Sequence, residues 1–100
     1  MLENKFKQKL SKEIEERFPG SLVLHLDPNE IQGIPDLLIL FPEKKGWAAL
    51  EGKKSEHESF RPNQKYYLEK LNAMYYAAAI YPENKEDILN EIQKAFGFNR

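Results

Sequence analysis

Apolar residues recur every fourth position at the start of the chain, with Leu2, Phe6, Leu10, Ile14 and Phe18 set among Lys, Glu and Gln. That spacing predicts one apolar stripe on an amphipathic helix, which Pro19-Gly20 ends. The pattern then shortens. Ser21 to Leu26 (SLVLHL) reads as a strand closed by the turn formers Asp27-Pro28-Asn29. Asp36 to Phe41 (DLLILF) is apolar at consecutive positions, as expected of a strand covered on both faces. Residues 42–46 predict a hairpin loop, and Trp47 to Lys53 the returning strand. Arg61-Pro62-Asn63 is expected to open a second helix, with Pro in its first turn and Tyr66, Leu68, Leu71 and Met74 on its apolar side. Tyr75 to Tyr81 (YYAAAIY) predicts a strand whose tyrosines and Ile80 face a buried sheet position, although its alanines also favour helix. Asn84 with Asp87 three residues later predicts a helix cap, followed by a face of Ile88, Leu89, Ile92, Ala95 and Phe96. The order is α-β-β-β-α-β-α. Such elements bury their apolar faces as an α/β fold, a central mixed sheet flanked by helices.

Composition narrows the class. One hundred residues, 41% hydrophobic and 12% aromatic, suit one folded domain, 1–100, without repeats or linkers. The absence of cysteine excludes disulfides and thiolate metal sites. No apolar run reaches membrane-spanning length and the N-terminus lacks a secretory core, so a cytoplasmic protein without a membrane partner is expected. The net charge of −1 argues against a general phosphate-binding surface. Its distribution is more favourable: Lys44, Lys45, Lys53, Lys54, Arg61, Lys65 and Lys70 fall in the middle of the chain, while acids dominate after Pro82. His25 and His57 stand apart in a strand and a polar loop, and an ordinary structural or surface role suits both.

The chemistry-bearing stretch is Gly33-Ile34-Pro35-Asp36 followed by Glu51-Gly52-Lys53. Strand residues two apart share a face, so Glu51 and Lys53 project together. Asp36 begins the partner strand, and the hairpin register constrains how it joins them. If Pro42 faces Trp47, Asp36 faces Lys53 and lies diagonal to Glu51; a six-residue loop sets Asp36 opposite Glu51, and either even loop, or an odd loop with a bulge, brings all three together. Two carboxylates this close repel each other unless a proton or cation lies between them. Their oxygens suit a hard divalent ion such as Mg²⁺, with Lys53 placed to orient a water or neutralise a phosphate. Pro-Asp and Glu-Gly-Lys-Lys are also ordinary turn and loop sequences, and spacing this short recurs by chance. The strand-end setting favours a site, since an acid beside apolar strands is costly without a partner.

Taken together, Gly33-Ile34-Pro35-Asp36, Glu51-x-Lys53, Arg61-Pro62-Asn63-Gln64 and the order of elements resemble the PD-(D/E)XK nuclease superfamily. Within it, the chain is most similar to stand-alone VRR-NUC domains of phage and bacterial type. The resemblance implies a restriction-endonuclease-like core and Mg²⁺- or Mn²⁺-dependent phosphodiester hydrolysis. It implies Asp36, Glu51 and the Gly52 carbonyl as metal ligands, Lys53 as the catalytic lysine and Gln64 beside the active site. An acid of the first helix completes such sites, and Glu3 is the closest match by position, with Glu13 and Glu16 as rivals. Lys54, Arg61 and Lys65 become candidate DNA contacts, although a solvated face explains them as well. Chains this small resemble homodimeric, structure-selective endonucleases acting on branched DNA such as four-way junctions. The contrasting expectation is a catalytically silent DNA-binding or assembly module with the same fold. Gly52 departs from the β-branched residue usual between the Glu and the Lys, and Tyr67 from the longer glutamine-tyrosine motif of the exonuclease branch.

Overall fold

The computed structural model describes residues 2–97, and side chains from residue 5 onward. The elements run in the predicted order: α1 (Leu2–Arg17), β1 (Leu22–His25), β2 (Leu37–Phe41), β3 (Gly46–Gly52), α2 (Gln64–Met74), β4 (Ala77–Ile80) and α3 (Lys85–Ala95). The strands form one sheet in the order β1-β2-β3-β4. The first three are antiparallel neighbours, and α2 carries the chain across so that β4 runs parallel to β3. The sheet is therefore mixed.

The apolar stripes find their partners on opposite faces of this sheet. Leu10, Ile14 and Phe18 of the first stripe are fully buried. They pack with Leu37, Ile39 and Phe41 of β2, Ala48 and Leu50 of β3, and Ile88, Leu89 and Ile92 of α3 in one core. Each such aliphatic side chain contributes roughly 1.5–3 kcal/mol through burial. On the other face α2 covers β3 and β4 through Leu68, Ala49 and Ala77, with Leu38, Trp47 and Leu71 half-buried beside them. Both faces of β2 are thus apolar, as its sequence requires, but only the α1–α3 face is dry. Arg17 ties the two helices of that layer together, donating to Gln93 Oε1 at 3.1 and 3.3 Å, to Glu86 Oε1 at 3.1 Å and to Asn90. Leu2, the first residue of the predicted stripe, has its side chain outside the described residues.

Three local expectations need correction. The second helix begins at Gln64, not in the Arg-Pro-Asn segment, because Asn63 adopts a left-handed conformation at φ 71° that no helix interior accepts. Asn84 does stand at the N-cap of α3, yet its side chain makes no capping bond. It closes the turn after β4 instead, accepting from the Tyr81 amide at 2.8 Å and donating to the Ala79 carbonyl at 3.1 Å. The last strand spans only Ala77–Ile80, so the tyrosines lie outside it. Tyr75 packs edge-on against Trp47 and Phe96, and aromatic contact rather than strand pairing fixes it.

Gly33 joins the Gly-Ile-Pro-Asp motif to the turn before α2. Its φ is +91°, and an added Cβ would lie 2.6 Å from the Asn63 Cβ and 2.7 Å from its carbonyl carbon. Gly20 has the same φ but open space around it. Gly33→Ala is therefore expected to lower stability by about 2 kcal/mol or more, and Gly20→Ala by about 1 kcal/mol, from backbone strain alone. Urea titration of both variants measures the difference; equal losses would mean that the approach to Asn63 carries no constraint.

Candidate active site

Register brings the motif together. Leu37 pairs with Leu50 and Phe41 with Gly46, so one further step along the ladder sets Asp36 across from Glu51. The alignment expected of a six-residue loop is reached with the four residues 42–45, because the turn starts at Pro42. Lys45 takes a left-handed conformation and returns its amide to the Pro42 carbonyl, closing the hairpin. Glu51 shares the α2 face of β3 with Ala49. Lys53 follows the strand end, where its amide still donates to the Ile80 carbonyl of β4 at 2.8 Å.

A cleft of about 290 Å³ opens at this end of the sheet, lined by Asp36 and Glu51 together with Lys7, Gly33, Arg61 and Gln64. Behind its wall lies a buried polar cluster. Glu51 is 3% exposed, Lys53 2% and Gln64 8%, the three buried polar or charged residues of the described chain. Gln64 links the other two: its Nε2 donates to Glu51 Oε2 at 3.2 Å, and its Oε1 accepts from Lys53 Nζ at 2.6 Å. The same Oε1 accepts from the Arg61 amide at 2.7 Å, pinning the Arg-Pro-Asn turn to the site. Lys53 Nζ also donates to the Ser59 carbonyl at 3.3 Å and lies 4.0 Å from a Glu58 carboxylate oxygen and 5.3 Å from the Phe60 ring centroid. Burial of this kind is tolerated because charge and hydrogen bonds are matched.

Asp36 is held differently. One oxygen accepts from the Gly52 amide at 3.1 Å, fixing the carboxylate to the partner strand. The other, Oδ2, is buried, accepts no bond of hydrogen-bond geometry, and has the Lys7 ammonium as its counter-charge. Lys7 was not foreseen from the sequence. Its place one helical turn after Glu3 is the only signal that could have found it.

The other sequence-predicted residues divide. Arg61 lines the cleft. Lys54 and Lys65 are exposed and do not line it, and the Lys54 amide donates to Glu58 Oε1 at 2.7 Å. Glu13 pairs with Lys85 at 2.8 Å and Glu16 is exposed; neither lines the cleft. The Glu3 side chain lies outside the described residues. Among the described residues no three His, Asp or Glu side chains converge on one point, and Asp36 and Glu51 are the two acids that line the cleft.

No protein-family model matches the sequence, and no curated protein matches it. The fold does find a counterpart. A solved VRR_NUC domain superposes over 90% of this chain and 96% of its own length, with a TM-score of 0.70 and 25% identity. The chain has the fold of a VRR-NUC domain. That likeness points to a nuclease fold, and in this chain the sheet end and the start of α2 meet at one polar cleft. Among the described residues, no helix is long and apolar enough to cross a membrane.

The donor chemistry can be tested against a divalent ion. Two carboxylates share one cleft, and the buried Asp36 Oδ2 already faces a cation, the Lys7 ammonium. Oxygen-only ligands of this kind fit Mg²⁺ or Mn²⁺, which keep several waters when few protein oxygens are offered. The residues present fit the ion.

Proposed function

We propose that the domain is a Mg²⁺- or Mn²⁺-dependent endonuclease that hydrolyses phosphodiester bonds in DNA. The observation that carries this reading is the cleft in which Asp36 and Glu51 stand side by side, backed by Lys53 and Gln64, in a chain of VRR-NUC fold. Asp36 and Glu51 would hold the ion, with the Gly52 carbonyl as a further oxygen. A bound ion supplies an activated water and neutralises charge developing on the phosphate. Gln64 keeps Glu51 oriented through its amide and keeps Lys53 against the back of the site. Lys53 is 2% exposed and donates to Gln64 and Ser59, so it would act from behind the cleft wall as a fixed positive charge toward the phosphate. Arg61, on the cleft rim, is suited to contact a phosphate.

A second copy of the chain is the proposed partner, and branched DNA the proposed substrate. Leu22 and Leu24 on the edge strand β1 are 54% and 42% exposed. Their cross-strand partners Leu40 and Leu38 share that face, and Trp47 continues it, so an apolar strip runs past the cover provided by α2. A two-fold pairing over this strip would bury it and present two clefts to symmetrically related strands. Light scattering of the wild type should then report the mass of two chains, and Leu22→Lys/Leu24→Lys the mass of one. A monomeric wild type would rule out the dimer.

The decisive assay incubates the protein with linear, flap and four-way-junction DNA in Mg²⁺, Mn²⁺ or EDTA. Metal-dependent cleavage, strongest on the junction, is the expected result. Binding without cleavage of any substrate in either metal would instead make the domain a silent DNA-binding module.

A further inference from the structure

Lys7 crosses the motif in a way that the nuclease reading does not use. Its stem passes over Gly52, where an added Cβ would lie 3.0 Å from Lys7 Cγ and 3.1 Å from Cε. Its ammonium ends in ion-pair contact with Asp36 Oδ2, both side chains being only 19% exposed. Glycine weakens a strand and β3 ends on Gly52, so its presence there calls for a steric reason. The Lys7 stem supplies one: a β-branched residue there would push the stem off its path to Asp36.

We propose that the Lys7 ammonium is a tethered counter-ion that holds the cation position at Asp36, and that a divalent ion enters by exchange with it. The inference rests on the reading of Asp36 as a metal ligand. Two neighbouring carboxylates in a partly buried cleft repel each other without a compensating charge, and Lys7 provides it when no ion is bound. An ammonium and a divalent ion cannot both lie against the same carboxylate oxygen, since like charges at contact in a poorly solvated site repel steeply. Entry of the ion therefore displaces Lys7. Its four-carbon stem lets the ammonium swing within the cleft that it and Arg61 both line, and there it becomes a phosphate contact. Gly52 gives the stem its passage in both positions.

Calorimetric titration with Mn²⁺ of the wild type, Lys7→Met and Lys7→Arg tests the exchange without recourse to activity. Met keeps the stem over Gly52 and removes the charge, whereas Arg keeps the charge. Lys7→Met is expected to bind Mn²⁺ about tenfold more tightly than wild type, and Lys7→Arg to stay close to wild type. Equal or weaker binding by Lys7→Met would overturn the exchange while leaving Asp36 as a ligand. Failure of wild type and variants alike to bind Mn²⁺ would overturn the metal site, and the exchange with it. Should Lys7→Met not fold, the wild type alone still decides through the ¹⁵Nζ resonance of Lys7. It should be protected in the metal-free protein and take on solvent-exposed character as Mg²⁺ is added; a resonance indifferent to Mg²⁺ contradicts the exchange.

Discussion

Glu51→Gln is expected to lower metal-dependent DNA cleavage by roughly 10²–10³-fold with the fold intact. Glu51 is buried at the end of β3, and Gln64 Nε2 donates to one of its oxygens at 3.2 Å. Gln fills the same space, and its amide oxygen can still accept that bond, so packing and local geometry change little. What disappears is the negative charge. A single carboxylate, Asp36, then remains among the described residues to attract a divalent ion into the cleft. Asp36→Asn should match it in size of effect, because its amide oxygen can still accept from the Gly52 amide as Asp36 Oδ1 does. The double variant should be hardly worse than either single one, as residues that act on one ion are not additive. Single-turnover cleavage of a labelled junction, with circular dichroism as a check on folding, measures all three. Undiminished cleavage by a folded Glu51→Gln protein would remove Glu51 from the chemistry.

The fold was largely legible because its strongest signals are periodic and long. The Leu10-Ile14-Phe18 stripe and the double-faced run of β2 survive in the structure as the central core. Short signals did worse. Asn84 precedes Asp87 at capping spacing, but the Tyr81 amide and Ala79 carbonyl are nearer claimants for its side chain, and local competition of this sort is invisible to spacing. Pro62 suits a first helical turn, yet the close approach of Gly33 to Asn63 makes the chain turn there instead. That contact spans thirty residues, and no local pattern encodes it.

The candidate site was legible in part for the same reason. Period-two alternation is enough to put Glu51 and Lys53 on one face, and only the hairpin register was open, between two even loops and a bulged odd one. Gln64 entered through resemblance, and its role as the link between a buried acid and a buried lysine became visible only in three dimensions. Lys7 is the clearest omission. On a helical wheel it is one of many charged positions flanking the Leu10-Ile14 stripe, and a lysine there ordinarily faces water. Its burial follows from the missing side chain at Gly52, a residue 45 positions away in the sequence, counting from 7 to 52. The weakness that glycine brings to the strand and the path taken by the lysine are one feature seen from two sides.

Gln64→Leu should be the most damaging single change to stability in the polar cluster, at about 3 kcal/mol. Leucine approximates the volume of glutamine and prefers helix, so neither packing nor propensity accounts for a loss of that size. The loss comes from what Gln64 leaves behind. Lys53 Nζ, 2% exposed, is deprived of its 2.6 Å acceptor and keeps the Ser59 carbonyl at 3.3 Å. Glu51, 3% exposed, loses the 3.2 Å amide donor, and the Arg61 amide loses its 2.7 Å acceptor. Buried charged groups stripped of a partner cost more than neutral ones, and here two are affected by one substitution. Gln64→Glu separates charge from hydrogen bonding. It preserves acceptors for Lys53 and Arg61 but sets a second carboxylate against Glu51, so its deficit should shrink as Mn²⁺ is added, whereas that of Gln64→Leu should not. Urea denaturation with and without Mn²⁺ provides both comparisons. A loss for Gln64→Leu below about 1 kcal/mol would show that Glu51 and Lys53 are satisfied without Gln64, by water or by their other neighbours, and Gln64 would then be a spacer and not the link that holds the site together.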